Sequence, residues 1–473
     1  MAYKNPKNFL YYLLNLIFLI SIIILLFSSY KYLTVIEYYK LFYKKFLIFF
    51  LISSLFIYIL RKFFNKNIQM YFCILATSFF VGLLTIEVLF TFNSKVKIND
   101  IEIRANQAKK LGLPFDKTSK YEFYQNYLKR GIDVMPSIPP NDFFVNYKDF
   151  KTSDSLYALS GASNILTIFC NEGGKRVTYN SDRYGFRNND IIWENETVDF
   201  VLLGDSLAQG ACVDDADTIH ERIIFYTKKK FLNLGYQGHG PLMQLASLKE
   251  YAKFKKPKKI IWFYSETNDI DNLIYEYQWD IFRNYLDEKK PLQNLIDNQL
   301  NLDIEHKKMV SSIYGNKQTG DRENRDNEID IYFTIKGILK FYHLREFISF
   351  FIPRKYSLTL QYYSPLETFD LYSQILDEAV DTARIWGGKI YFVYYPHAAR
   401  YFNHAVHPYY LRKYDDITEM IKKKDIKMID LRKYVFENYE DLKSLYPLRL
   451  SGHPNEKGYD LVARYISNVL MEK

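Results

Sequence analysis

Three apolar runs at the start of the chain, Phe9 to Ser29, Phe46 to Leu60 and Met70 to Phe92, constrain it more than any other feature. About 20 apolar residues make a helix that crosses a bilayer, and in hydrocarbon a helix satisfies its own backbone N–H and C=O groups. The first and third runs meet that length. The middle run is shorter, but Arg61 and Lys62 come after it, and such side chains snorkel to the interface along apolar stems, so it is read as a third span. A removable signal peptide is the rival for the first run; its apolar stretch is too long for one and lacks a small-residue cleavage site. Residues 1–93 are therefore expected to form a membrane anchor of two to three helices, with the lipid bilayer as partner. Glu87 falls inside the third run, where an ionisable group is a functional hypothesis by default, and its place near the end of the run would let it reach the interface.

Basic residues do not select an orientation. With the N-terminus inside, Lys4, Lys7, Arg61, Lys62 and Lys66 face the cytoplasm, against Lys31, Lys40, Lys44 and Lys45 outside, with Lys95 and Lys97 after the last span. Three spans with the N-terminus inside put the rest of the chain outside the cytoplasmic membrane, and the cysteines lean the same way. Cys73 lies within a span, leaving Cys170 and Cys212 as an even pair, compatible with one disulfide in an oxidising compartment and equally with two free thiols. The net charge of +9 stems from lysine spread along the whole chain rather than from a local patch. No basic face with interleaved aromatics is visible, so nucleic acid is not expected as a partner.

Beyond the anchor, residues 94–197 read as a linker and an elaboration that packs on the C-terminal domain, with a helix-like stretch from Ile101 to Leu111 and a Pro-rich break from Met135 to Pro140. That domain, residues 198–473, alternates strand and helix. Strands are expected at Val198 to Leu203, Phe231 to Leu234, Lys259 to Tyr264, Lys389 to Tyr394 and Lys427 to Ile429. Helices fall at Thr218 to Lys229, Leu242 to Phe254, Leu366 to Trp386, Tyr409 to Lys423 and Glu456 to Met471. Alternation of that kind predicts a parallel sheet flanked by helices, an α/β class. An insertion at about 280–365 interrupts it; Gly315 to Asp330 reads as a mobile loop, and the remainder as a cap over a cleft.

Chemistry-bearing residues fall at the strand ends. Gly204-Asp205-Ser206 succeeds the first strand, where a small polar turn exposes a serine hydroxyl at the carboxyl edge of the sheet. Asn233 to Pro241 forms a glycine-rich turn after the second strand, and Asn268-Asp269 comes after the third. Gly452-His453-Pro454-Asn455 precedes the last helix. A serine hydroxyl becomes nucleophilic when a neutral imidazole takes its proton, and the developing oxyanion needs donors already aimed at it. Glycine lets a backbone N–H approach closely, and asparagine adds a donor that does not titrate.

Ser, Gly, Asn and His in this order resemble the SGNH hydrolase superfamily, the GDSL esterases, over roughly Asp199 to Lys473. The resemblance implies a three-layer α/β/α, flavodoxin-like sheet, with Ser206 as nucleophile and His453 as general base. It implies an oxyanion hole from the N–H groups of Ser206 and Gly238 with the Asn268 amide, and no metal or cofactor. Cys170-Asn171-Glu172, Tyr179 to Asn188 and Gly210 to Val213 are similar to a membrane-anchored bacterial branch linked to cell-surface polysaccharide. That likeness implies an esterase or O-acyl transferase, with acetyl the expected group, acting on an acylated envelope glycan, and polysaccharide-assembly proteins as partners. The location implied is the inner membrane, multi-pass, with the catalytic part periplasmic.

Two positions depart from the family pattern. Leu450 stands where many members carry the triad aspartate, three residues before the histidine, and Glu266 replaces a glycine two residues before Asn268. A Ser206/His453 dyad, another carboxylate such as Asp430, or a backbone carbonyl are the alternatives for the missing acid. A scaffold protein that keeps the fold with impaired chemistry is the contrasting reading. Plainer roles exist for each residue: helix caps for Ser206 and Asn268, a surface turn for His453, and a turn requirement for Gly238. His239, His397, His404 and His407 lack the carboxylate spacing of a known metal site, and Arg187 is read as an ion-pair or surface residue.

Overall fold

The computed structural model describes residues 6–34, 37–94, 100–140, 156–315, 337–351, 366–402, 408–424 and 426–472. The chain divides into two compact units, Met1–Lys97 with Ile329–Glu367, and Ile98–Glu328 with Thr368–Lys473.

The first unit holds three long helices, Pro6–Thr34, Glu37–Phe63 and Lys66–Ser94. Each contains a segment long and apolar enough to cross a membrane: Tyr12–Thr34, Tyr43–Phe63 and Lys66–Thr91. The middle helix starts earlier than the apolar run alone predicts, because the Tyr- and Lys-rich residues before Phe46 continue it, and Lys40, Lys44 and Lys45 lie on the helix rather than in a loop. Leu14, Ile57, Leu60 and Cys73 pack together in this unit. The hydroxyls of Ser21 and Ser54 meet at 2.6 Å, a small-residue polar contact of the kind that joins helices in lipid.

The second unit carries two sheets. In the smaller, β1 (Val134–Pro136) runs parallel to β2 (Leu166–Ile168), and β2 antiparallel to β3 (Thr178–Asn180). The larger consists of β4 (Phe200–Leu203), β5 (Phe231–Asn233), β6 (Lys259–Ser265), β7 (Lys389–Tyr395) and β8 (Lys427–Asp430), all parallel, in the order β5-β4-β6-β7-β8. Its strands are near-continuous apolar runs because both faces are covered. Val201, Leu203, Trp262, Tyr264, Phe392 and Tyr394 point into one core with the helices Pro241–Glu250 and Leu366–Arg384. Their neighbours Phe200, Leu202, Ile261, Phe263, Val393 and Tyr395 point into another with the helices Ile219–Thr227 and Glu456–Met471. This is the three-layer α/β/α arrangement. Each such side chain, fully buried, contributes about 1.5–3 kcal/mol of transfer free energy.

Segments outside the alternating pattern complete the first core. Ile138, Tyr157, Leu159, Phe186 and Trp193 join it from upstream, and Phe282, Tyr285, Leu295, Leu302, Met309 and Ile313 join it from the region read as a cap. The Glu250 carboxylate fastens the latter region, accepting from Tyr285 Oη at 2.7 Å, Gln293 N at 2.7 Å and Leu295 N at 3.1 Å. Residues 280–314 thus send side chains into the first core, and most of the stretch read as a mobile loop lies outside the described residues.

Asp182 explains the motif between Tyr179 and Asn188. Fully buried, it accepts from Tyr184 N and Phe186 N, each at 2.9 Å, and from Asn188 Nδ2 and Trp193 Nε1, each at 2.8 Å. Burial pushes its pKa up to about 6 against these four donors. Asn188 in turn pairs with both backbone groups of Asn233 at the end of β5. Arg187 is buried as well, donating to Gly210 O, Val213 O and the Asp215 carboxylate. The motif is therefore structural, and it locks the upstream segment to the sheet edge that carries Ser206.

Candidate active site

The strand order places a switch point at β4. Its connection to β5 runs to one side and the next strand, β6, pairs on the other, so the crevice at the carboxyl ends of these strands is where a doubly wound sheet binds ligands. Ser206 succeeds β4, Gly238 succeeds β5 and Asn268 succeeds β6.

Ser206 opens the short helix Ser206–Gln209, and Asp205, not Ser206, is its cap, accepting from Leu207 N at 2.9 Å. The serine hydroxyl is thereby left for other work. Gly204 makes the turn possible: a Cβ there would stand 2.7 Å from Ala208 Cβ and 2.8 Å from Phe263 Cβ. The loop after β5 is stitched to this turn, with Tyr236 N donating to Gly204 O at 3.0 Å and Gln237 N to Gln209 Oε1 at 2.9 Å. Gly238 comes next, at φ +81°, in the left-handed region that favours glycine.

Asn268 holds the cap position of the helix Asp269–Glu276 without making a side-chain cap bond. Its amide and the Ser265 hydroxyl favour the charged form of the Asp205 carboxyl. Burial pushes the Asp205 carboxyl above its ordinary pKa despite these donors. Glu266, the departure from glycine, is buried in an ion pair with Arg400 and accepts from His397 N at 2.7 Å.

His453 completes the arrangement. Its Nε2 lies 2.8 Å from Ser206 Oγ, and its Nδ1 lies 2.7 Å from Glu172 Oε1. The other oxygen of Glu172 accepts from the backbone N–H of His453 at 2.8 Å. The acid absent at Leu450 therefore has a replacement, and it is neither a backbone carbonyl nor Asp430. Asp430 instead accepts from Tyr414 Oη at 2.6 Å and from Lys433 N at 3.1 Å.

Glu172 belongs to the Cys170-Asn171-Glu172 motif, but its role is hidden in the sequence because no fixed spacing links it to His453. A signal was present. Cys170 stands two residues before Glu172 and Cys212 six after Ser206, and the two cysteines form a disulfide with Cα atoms 5.3 Å apart. The bond draws the acid-bearing segment to the serine-bearing one. Gly452 lets the acid in, since a Cβ there would lie 2.3 Å from Glu172 Oε2.

Burial works against the charge on His453 and is the largest single influence on it. The Glu172 charge and hydrogen bond, with the Asp205 charge, outweigh it, and the imidazole titrates above its ordinary value. Burial likewise pushes Glu172 up, and His453 with Arg104 pulls it down further, to a net lowering. Glu172, Cys212 and His453 also lie close enough together to be tested as a metal site. The Cys212 sulfur is taken up in the disulfide, so the trio is a hydrogen-bonded acid and base instead. His239 donates from Nε2 to Leu159 O at 2.7 Å in the core, and His404 and His407 lie outside the described residues.

Arg104, on the helix Asp100–Lys110, is equally silent in the sequence. Its guanidinium donates to Ser451 O at 3.0 Å and Glu172 O at 3.3 Å, lies 4.0 Å from Glu172 Oε2, and is itself held by Asp100 at 2.6 Å. It clamps the loops of acid and base together, and its charge lowers the His453 pKa. Arg104→Met is expected to move the acidic limb of kcat/KM to higher pH, with Arg104→Lys restoring most of the shift. A loss of amplitude with an unmoved limb, read from a pH profile on a soluble ester, would reduce Arg104 to a purely structural part.

The parallel sheet, with serine, imidazole and carboxylate in one hydrogen-bonded series at its switch point, is a doubly wound three-layer α/β fold. Among solved structures, the chain is similar to a putative lipolytic protein of the G-D-S-L family from Desulfitobacterium hafniense DCB-2, at 12% identity and TM-score 0.31 over 58% of this chain and 99% of that one. It is similar to a lipase/acylhydrolase from Enterococcus faecalis at 11% identity and TM-score 0.31, over 57% and 94% of the two chains. A two-domain esterase active on acetylated mannans, co-crystallized with mannopentaose, matches at 12% identity and TM-score 0.27, over 59% and 50%. No family model and no curated protein matches the chain. At these identities and TM-scores the likenesses carry no argument, and the fold rests on the sheet order and the site on the distances within the series of Ser206, His453 and Glu172.

Proposed function

We propose that the chain is a membrane-anchored serine ester hydrolase or O-acyl transferase, acting on acetyl or similar esters of an envelope glycan. The observation that carries this reading is the series Ser206 Oγ, His453 Nε2, His453 Nδ1 and Glu172 Oε1, with 2.8 Å and 2.7 Å between hydrogen-bonded atoms. Three helices capable of crossing a membrane support anchoring in the inner membrane. The Cys170–Cys212 disulfide supports an oxidising, extracytoplasmic location for the unit that contains it.

In this reading Ser206 Oγ attacks the ester carbonyl carbon as His453 Nε2 takes the hydroxyl proton. The carbonyl oxygen becomes an oxyanion held by the N–H groups of Ser206 and Gly238 and by the Asn268 amide. Collapse breaks the bond to the leaving alcohol, which receives the proton from His453, and the acyl group stays on Ser206. Water or a sugar hydroxyl then attacks the acyl enzyme by the same steps, giving hydrolysis or transfer. Glu172 keeps the proton on Nδ1, so that Nε2 faces the serine as the acceptor, and it stabilises the imidazolium.

A fluorophosphonate probe tests the reading on the full-length protein in detergent. One phosphonate adduct is expected, on the peptide that contains Ser206. No adduct on folded protein, or one that persists in Ser206→Ala, overturns the assignment. Acyl groups gained or lost on surface glycan when the gene is deleted separate transfer from hydrolysis.

A further inference from the structure

We propose that the helix Tyr342–Phe351, carried by the insertion between β6 and β7, is a further membrane-embedded element, seated in one leaflet against the third span and tethered there by Glu87. The inference does not depend on the hydrolase reading.

Glu87 lies in the span Lys66–Thr91, four residues from its end, or about 6 Å along the axis. Its side chain does not reach out to the interface as the sequence would allow; the residue is 0% exposed. One carboxylate oxygen accepts from His343 N at 3.0 Å and the other from Leu344 N at 2.7 Å. These N–H groups belong to the first turn of the helix, where no carbonyl of the helix itself can pair with them, and where the helix dipole favours a negative charge. Each partner thus satisfies a group that the other could not leave unpaired inside a bilayer. The Arg345 guanidinium lies within electrostatic reach of both Glu87 and Tyr43, so the cluster also contains a countercharge.

Aromatic contacts give the depth. The rings of Phe341 and Phe80 are 5.7 Å apart, and those of Phe347 and Phe90 are 5.4 Å apart. Phe80 stands eleven residues before Thr91, about 16 Å into the span, and Phe90 one residue before its end. The helix therefore runs along the span toward the same interface that Glu87 approaches.

Its outward side matches lipid. Phe347, on the helix, is 52% exposed, and Leu339 just before the helix 70%; on the span, Phe79 is 69% exposed and Leu89 62%. The helix packs against a span long and apolar enough to cross a membrane, and both expose apolar side chains, which commits this surface to the bilayer as occupant rather than to a protein partner.

The test uses the full-length protein in nanodiscs of phosphatidylethanolamine and phosphatidylglycerol, spin-labelled at Phe347→Cys. Cys73 is buried and the other two cysteines are bonded to each other, so the new thiol is the one that labels. The label is expected to be broadened by oxygen but not by a water-soluble nickel chelate, as a label at Leu89→Cys will be. Leu300→Cys, on the helix Gln299–Tyr314 and 74% exposed, should show the opposite pattern. Chelate access at position 347, or protection from both agents, overturns lipid embedding. Glu87→Leu should restore chelate access at position 347, and unchanged protection overturns the tether. If that variant fails to assemble, Glu87→Gln, which keeps one acceptor, should give partial access, and full protection in it counts against the tether equally.

Discussion

Ser206→Ala is expected to lower kcat/KM for a chromogenic acetyl ester by about 10⁴- to 10⁶-fold, the loss seen when a triad nucleophile is removed. The expectation rests on position. Ser206 Oγ is the one atom of the site hydrogen-bonded to His453 Nε2 and also placed at the carboxyl end of β4, where an ester carbonyl can meet the loop after β5 and Asn268. Alanine keeps the helix Ser206–Gln209, because its cap is Asp205 through Leu207 N and not the serine hydroxyl. Stability should therefore be nearly unchanged, and the thermal midpoint serves as the control. Residual hydrolysis within tenfold of the parent would remove Ser206 from the mechanism. It would leave the fold untouched.

Glu172→Gln should cost about 10³- to 10⁴-fold in kcat, by analogy with amide replacement of a triad acid that leaves geometry intact but presents the wrong imidazole tautomer. Glutamine fits the space that Gly452 leaves, yet its charge is gone and its amide group competes for Nδ1. The pH profile gives a second, independent mark. The base works when neutral, so kcat/KM rises as pH climbs through the His453 pKa, which Glu172 holds above its ordinary value. Without that charge, burial dominates and the pKa falls. The limb of the residual activity should thus move to lower pH, opposite to the shift expected for Arg104→Met. An unmoved limb in Glu172→Gln would mean that the carboxylate does not govern the base.

The strands and the last helix were legible because their periodicity and flanking signals are local. Lys259–Ser265 and Glu456–Met471 fall where the pattern puts them, to within a residue. The serine and histidine were legible for a related reason: a turn at a strand end and a histidine before a helix are short-range features that survive a fold-level resemblance. The acid was not. Glu172 reaches His453 across 281 positions of sequence, through a disulfide and a glycine whose purpose shows only in space. The region after Asp269 misleads for another reason. Nothing in its sequence marks which side chains face inward, and Phe282, Tyr285 and Leu302 enter the main core while Glu250 accepts from Tyr285 Oη. Glu87 looks like a lone charge because its own helix is all that the local sequence shows, and its partners come from another helix, 256 positions away.

Gly452 is solvent-exposed, and by exposure alone its position would tolerate any side chain. A Cβ there nonetheless meets the Glu172 carboxylate at 2.3 Å. The two positions are therefore coupled: a side chain at 452 is expected to push the Glu172 carboxylate from its place on His453, so a surface position carries a constraint set by the route its partner takes.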